Sequence, residues 1–506
     1  MKISHLQPLI PGSEIIGDAA AAFTAVHFDS RAVSPGSIFV AIPGFQVDGH
    51  DFIDAAIATG AASLCVQADH DTKWRALADS RAVPLLVVPD ARAALATAAA
   101  SLNGFPARKL NVVGVTGTDG KTSLSHLLAH VFDSAGQPVG HTVGLISTAE
   151  CRIGADVIGD SGRFTTPESP EVQTMLATMV DRGCSWAVIE ATSHGLALNR
   201  LDHIEPDVAV VTNVGTDHLD FHGSVSEYLS AKARLFDMLD AAVVKGIDKV
   251  AVLSRDDPSY AFFSDRTSTR TVSYGIESEA GLRAVDISYD GWTTVFTVSS
   301  DRPDLRVTLP SPGAFSVYNA LAAIAVSDAA GLDRESVVRA LASWPGAPGR
   351  MQLIDEGQPF TVVVDFAHSP DSLRRVLELL RERTSGCLIT LFGCIGEREL
   401  ERRSGMGKAA ADLAGFTIVT DDNPYTEDRN AIIAEIADAI RSAGKREGDD
   451  FLILPDRREA IAYALQMASE GDTVLLAGKG HETKVVMTEG SYDCDDAAVA
   501  RSVLRD

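Results

Sequence analysis

The chain has 506 residues, 45% hydrophobic and 22% charged, an ordinary soluble composition that is too long for one core and fits about three domains of ~150 residues. A formal net charge of -25 opposes binding to nucleic acid or to an anionic membrane surface, since both need basic patches. No apolar run reaches the ~20 residues of a membrane span and the start lacks a signal-peptide core. The six scattered cysteines form no C-x-x-C pair, so reduced thiols in a cytoplasmic protein are expected.

In chain order, "SIFVAI", "ASLCVQ" and "PLLVVP" predict strands, "ARAALATAAASL" a helix, and "FPARK" a linker. The apolar "LNVV" then runs into "GVTGTDGKTS", Gly114 to Ser123. A strand that ends in a glycine turn and feeds a helix aims backbone N–H groups and a helix N-terminus at phosphate, and a lysine and threonine there suit phosphate and magnesium. Val115 occupies the first glycine position of the strict pattern, so from these residues alone the segment is either a triphosphate site or a tight turn. The strand "SWAVIE" delivers Glu190, which reads as a magnesium ligand or as a solvated strand-end acid. "DVAVVTN" leads into "TNVGTDHLDFHG", where Asp217, His218, Asp220 and His222 crowd together as a metal or phosphate site. Lys232, in the predicted helix "EYLSAKARLF", reads by itself as a snorkelling surface lysine.

"DKVAVLS" adds a strand, and "WPGAPGR" breaks helical periodicity at a second boundary. Beyond it "FTVVVDF", "CLITLF", "FTIVT", "FLILP" and "TVLLAG" alternate with helices, the pattern of a doubly wound domain. The polar segments "VDFAHSPDSL", "LFGCIGERE", "TDDNPYTED" and "LLAGKGHET" follow successive strands and are expected to share one crevice. The expected fold class is α/β, with domains at residues 1–107, 108–345 and 346–506.

The glycine loop, "TTPES", "EATSHGL", "TNVGTDHLDFHG", "YLSAKARLF", "GAFSVYNALAA", "PGRMQ", "DFAHSPDSL", "DDNPYTED" and "GKGHE" occur in an order that resembles the Mur ligases. The resemblance runs from "FDSRAVSPGSIFVAIPG" to "GKGHE", nearly the whole chain. It implies an N-terminal uridine-binding domain, a central P-loop-type ATPase domain with a mainly parallel sheet, and a C-terminal Rossmann-like domain. The implied reaction is ATP-driven addition of an amino acid, of the diamino class, to UDP-N-acetylmuramoyl-L-alanyl-D-glutamate through an acyl phosphate, in peptidoglycan precursor synthesis. A cytoplasmic monomer without nucleic-acid partners or membrane insertion is expected.

Carried onto this sequence, the resemblance gives ATP the residues Gly117, Thr118, Asp119, Gly120, Lys121, Thr122, Ser123, Asn319, His368 and Asp371, with Lys121 on the β- and γ-phosphates. Thr122, Glu190 and His218 would hold magnesium, and carbamylated Lys232 would offer an oxygen ligand to a second ion. Ser30, Phe45, Gln46 and Val47 would face the uridine, and Thr165, Thr166, Thr192 and Arg200 the muramyl peptide and its diphosphate. Arg398, Asp422, Asn423, Pro424, Tyr425, Gly478 and Glu482 would receive the amino acid.

The sequence departs from the family pattern at four positions: Asp119 and Phe164 replace asparagine, Leu198 replaces glutamine, and Tyr425 replaces the arginine of D-N-P-R. A phenol cannot form the bidentate ion pair by which arginine holds the distal carboxylate of meso-diaminopimelate, so selection for that carboxylate is expected to be weaker or rebuilt from elsewhere, and L-lysine, L-ornithine or another diamino acid stands beside it as a candidate. The alternatives are a related ligase with another acceptor and a non-catalytic nucleotide-binding subunit of the same fold. "FDSR" argues against the folate type, and a non-catalytic subunit is expected to have lost Lys121, Glu190, His218 or Lys232.

Overall fold

Apolar runs of four to six residues, rich in valine and isoleucine and too short for helices, become buried strands. The computed structural model describes residues 1–45, 47–70, 74–75, 83–135, 142–159, 166–397 and 400–505. They fall into two units, one of Met1–Ile287, Val295–Thr308 and Phe315–Ser343, the other of Ser288–Thr294, Leu309–Ala314 and Trp344–Asp506.

The first unit opens with a five-stranded sheet in the spatial order Glu14–Ile16, Leu85–Val88, Ser63–Gln67, Ser37–Val40, Ala25–His27. Only its first pairing is antiparallel. The helix Ala91–Leu102 starts at Asp90, whose carboxylate accepts from the backbone N–H groups of Arg92 and Ala93, and packs Ala91, Ala94, Leu95 and Ala98 on one face of this sheet.

A second sheet of eleven strands has at its centre the parallel set Thr271–Gly275, Val250–Ser254, Val208–Val211, Asn111–Thr116, Cys184–Glu190, Thr142–Ile146. Every residue of Val208–Val211 and Val250–Ser254 is buried, as expected for strands covered on both faces. Asn111–Thr116 lies between strands that the chain reaches later, on either side, so the strand order reverses there and opens a crevice at the carboxyl ends. The register pairs Glu190 with Val115 and Val211 with Thr116, which sets both later strand ends beside the glycine loop. Helix Val225–Ala241 crosses this sheet at close range: a Cβ on Gly114 would lie 2.6 Å from Leu235 Cδ1. Lys232 lies one helical turn before Leu235, and so faces the same strand end.

The second unit carries a six-stranded sheet ordered Gln352–Ile354, Thr361–Asp365, Thr473–Ala477, Leu388–Phe392, Phe416–Val419, Phe451–Ile453, antiparallel only at its first pair. Three crossovers run one way and the last runs back, so right-handed connections put Pro370–Arg381, Leu400–Leu413 and Arg429–Ser442 on one face and Arg457–Met467 on the other. The packing agrees: Leu377, Met406 and Ile436 share one core, and Ile461, Ala464 and Ala500 another. Among the described residues the cysteines form no disulfide, and no helix is long and apolar enough to cross a membrane.

Candidate functional site

The glycine loop joins strand Asn111–Thr116 to helix Lys121–Ala135. Gly117 has φ +146°, and a Cβ there would stand 1.9 Å from Thr212 Oγ1, so only glycine fits. The end of the neighbouring strand grips the loop: Thr118 N donates to Asn213 O at 2.8 Å and Asp119 N to Asn213 Oδ1 at 3.0 Å. In return Thr212 Oγ1 and Asn213 Nδ2 donate to Asp119 O at 2.6 and 3.1 Å. The Asp119 position is therefore held through its backbone while its side chain is exposed. Lys121 Nζ donates to Thr118 O at 2.8 Å, and Ser123 continues the first helical turn, whose positive end faces the loop. Asn319, buried on helix Ala314–Ala329, brings Oδ1 to 3.1 Å from where a Cβ on Gly120 would be.

On the other side of the loop, Thr122 Oγ1 donates to both carboxylate oxygens of Glu190, each at 3.1 Å, and Thr148 N donates to Glu190 Oε2 at 3.0 Å. Glu190 is 1% exposed, which rules out the solvated strand-end acid. Lys232 is also 1% exposed, and this overturns its reading as a surface lysine. Its amine donates to Gly117 O at 2.6 Å and lies 4.3 Å above the Tyr228 ring. Burial, then the charge of Lys121, pushes the Lys232 pKa well below its usual 10.5, against the opposing pull of Asp217 and Asp119.

His218 has a left-handed backbone, with Nε2 3.3 Å from Asp217 Oδ2 and its ring edge-on to His194. Burial lowers its pKa, helped by Lys121 and Lys232 and opposed by Asp217. Among the described residues no group of three or more His, Cys, Asp or Glu is placed to hold a metal. The oxygens of Thr122 and Glu190 are of the hard type magnesium prefers, and they fit that ion provided phosphates and water complete its shell.

Of the expected acceptor residues, Thr166 meets the strand that carries Glu190, its Oγ1 donating to Glu190 O at 3.4 Å. Thr166 and Thr192 share a hydrogen bond of 2.8 Å, and Thr192 Oγ1 caps helix Ser193–Ala197 by accepting from Gly195 N at 3.0 Å. Leu198 closes that helix half-buried. Arg200, buried, donates to Thr166 O at 3.1 Å and pairs with Glu168 at 2.8 Å. Phe45 is 75% exposed and meets Phe221 edge-on at 5.7 Å. Val47 is exposed, and Ser30 is half-buried beyond strand Ala25–His27. Gln46, Phe164, Thr165 and Arg398 lie outside the described residues.

In the second unit, Asn423 Nδ2 donates to Glu482 Oε2 at 2.7 Å, while Asn423 Oδ1 accepts from Val486 N at 3.0 Å. Lys479, fully buried, donates to Glu482 Oε2 at 2.9 Å and to Asn423 Oδ1 at 3.2 Å, and lies 3.9 Å from Asp422. Among the described residues neither oxygen of the buried Asp422 carboxylate has a hydrogen-bond partner. Burial raises the Asp422 pKa against the charge of Lys479. Burial also pushes Glu482 up, but the charge and hydrogen bond of Lys479 outweigh it and hold Glu482 below its usual range.

Gly478 stands close to this carboxylate, for a Cβ there would lie 3.0 Å from Asp422 Oδ2. Pro424 is buried, and Tyr425, with φ +54°, donates its N–H to Val486 O at 3.1 Å. His368 Nδ1 lies 2.7 Å from Phe366 O, and Asp371 is exposed in the first turn of Pro370–Arg381. Sequence reasoning did not single out Asn213, Tyr228 or Lys479. Asn213 ends a predicted strand and Lys479 sits in "GKGHE", so both had a positional signal that side-chain chemistry alone did not separate from a turn.

A strand, glycine loop and helix with a lysine on the loop, and a hydroxyl facing a buried carboxylate, define an enzyme that works on a nucleoside triphosphate. Three family models match the chain: Mur ligase family, catalytic domain at residues 22–102; Mur ligase middle domain at 115–327; and Mur ligase, glutamate ligase domain at 349–480. The chain belongs to the Mur ligase family and is an ATP-dependent ligase. It is 43% identical to UDP-N-acetylmuramyl-tripeptide synthetase of Roseiflexus sp. (strain RS-1), covering 99% of this chain and 96% of that one. It is 37% identical to UDP-N-acetylmuramoyl-L-alanyl-D-glutamate--2,6-diaminopimelate ligase of Geobacillus thermodenitrificans over the whole of both chains. A solved structure of a ligase with that same name superposes with a TM-score of 0.69 at 30% identity, covering 100% of this chain and 99% of that one.

Proposed function

We propose that the chain joins an amino acid to UDP-N-acetylmuramoyl-L-alanyl-D-glutamate in the cytoplasm, as the tripeptide-forming step of peptidoglycan precursor synthesis. The acceptor carboxylate takes the γ-phosphoryl group of ATP, releasing ADP. The α-amine then attacks the acyl phosphate, so that the C–N bond forms, phosphate leaves and the amine loses its proton. The observation that carries this reading is the Thr122 hydroxyl poised equally between both oxygens of buried Glu190 at the foot of the glycine loop. A magnesium ion bound there would neutralise charge on the transferring phosphoryl group.

Lys121 would exchange its bond to Thr118 O for the triphosphate. Lys232, whose depressed pKa favours the neutral amine, would add carbon dioxide and lose a proton to become a carboxylate. His218 would supply a further ligand, and Asn319 would contact the nucleotide from beside Gly120. Thr166, Thr192 and Arg200 would orient the acceptor.

In the second unit Asp422 and Glu482 both face the ammonium of Lys479, and carboxyl groups so placed suit an incoming ammonium. Tyr425 offers no charge to a distal carboxylate. We therefore expect phosphate release that depends on both the muramyl-dipeptide acceptor and an amino acid, with L-lysine or L-ornithine used well and meso-diaminopimelate poorly. A panel of amino acids assayed by phosphate release tests this. A strong preference for meso-diaminopimelate would overturn the specificity reading, and acceptor-independent release would overturn the reaction.

A further inference from the structure

Arg457, at the first position of helix Arg457–Met467, belongs to none of the motifs above, and neither it nor Asp496 exposes any surface. Its Nε and Nη2 donate to the two carboxylate oxygens of Asp496 at 2.8 and 2.6 Å. The same guanidinium donates from Nη1 to Asp421 O at 2.9 Å and from Nη2 to Ala477 O at 2.8 Å. These carbonyls belong to the residues just before Asp422 and Gly478, where the two segments that meet at Lys479 begin.

The strands that carry those segments, Phe416–Val419 and Thr473–Ala477, are not neighbours, because Leu388–Phe392 lies between them. The two segments meet in a backbone bridge further out, between Tyr425 and Met487, while at the strand ends themselves the guanidinium spans the gap. A planar fork of five donors can hold a carboxylate bidentately and still reach two carbonyls, whereas an ammonium cannot reproduce that geometry. A buried ion pair adds little net stability over apolar residues of similar volume, so stability alone does not explain its presence here.

We propose that Arg457, held by Asp496 from the last helix, is a positioning residue that sets the spacing between Asp422 and the Lys479–Glu482 pair. The inference rests on reading those residues as the amino-acid site. Its test is steady-state kinetics on the full chain with Arg457→Lys, Asp496→Asn, and Arg457→Met combined with Asp496→Leu, beside thermal unfolding of each. The apolar pair guards against a variant that fails to fold through an uncompensated buried charge.

The expected result is a rise in KM for the amino acid of about tenfold or more in all three, with KM for ATP and for the acceptor within about threefold of wild type. Unchanged amino-acid KM in a folded variant, or a fall in kcat alone that tracks the folded fraction, would overturn the proposal. Wild-type protein whose phosphate release ignores the amino acid would instead overturn the reading of the site, and that result is seen before any substitution is made.

Discussion

Replacing Lys232 with alanine is expected to lower ligation by about 10³-fold or more while the protein stays folded, with partial recovery on adding a short carboxylate such as formate or acetate. The wild-type amine is buried, bonded to Gly117 O, and biased toward the neutral form that reacts with carbon dioxide. Alanine removes both that bond and the carboxylate the amine would become, and the space left beneath the loop can admit a small anion. Rescue separates a ligand role from a structural one, because a carboxylate cannot replace the amine's donation to Gly117 O. Lys232→Arg should not be rescued, since the guanidinium fills the space and keeps a positive charge. Full activity in Lys232→Ala would remove Lys232 from the mechanism.

Replacing Lys121 with methionine is expected to cost about 10³-fold in kcat/KM for ATP, without recovery by carboxylates. In the structure its ammonium bridges the loop to Thr118 O, a hydrogen bond whose loss should destabilise the fold by only about 1 kcal/mol. The functional loss should therefore far exceed the change in thermal stability. A loss matched by an equal fall in folded fraction would assign Lys121 to the loop's structure instead.

The strands that deliver the site were legible in the sequence because each is a short apolar run closed by polar residues. "SWAVIE" became Cys184–Glu190 and "DVAVVTN" became Val208–Val211. Short edge strands such as Glu14–Ile16 gave no such signal, since three residues carry no usable alternation. The environments of Glu190 and Lys232 were not legible, because they depend on packing between distant segments. Lys232 reaches a carbonyl 115 residues away, and helical periodicity names the face it occupies without naming what covers that face. The family resemblance supplied what periodicity could not.

Asn213, Tyr228 and Lys479 escaped for the same reason: their partners are fixed by sheet order. Arg457 is the clearest case. An arginine beside an N-cap aspartate looks like ordinary helix-start chemistry, yet its four hydrogen bonds all go to segments 20 to 39 residues away.

The central claim is that ATP's terminal phosphoryl group passes to the acceptor's carboxylate before the amine attacks. Acceptor labelled with oxygen-18 in its terminal carboxylate, taken through one round of ligation, tests it most directly. The account predicts that each phosphate released carries one labelled oxygen. Phosphate free of label, with one labelled oxygen kept in the new amide and the other lost to water, would contradict it.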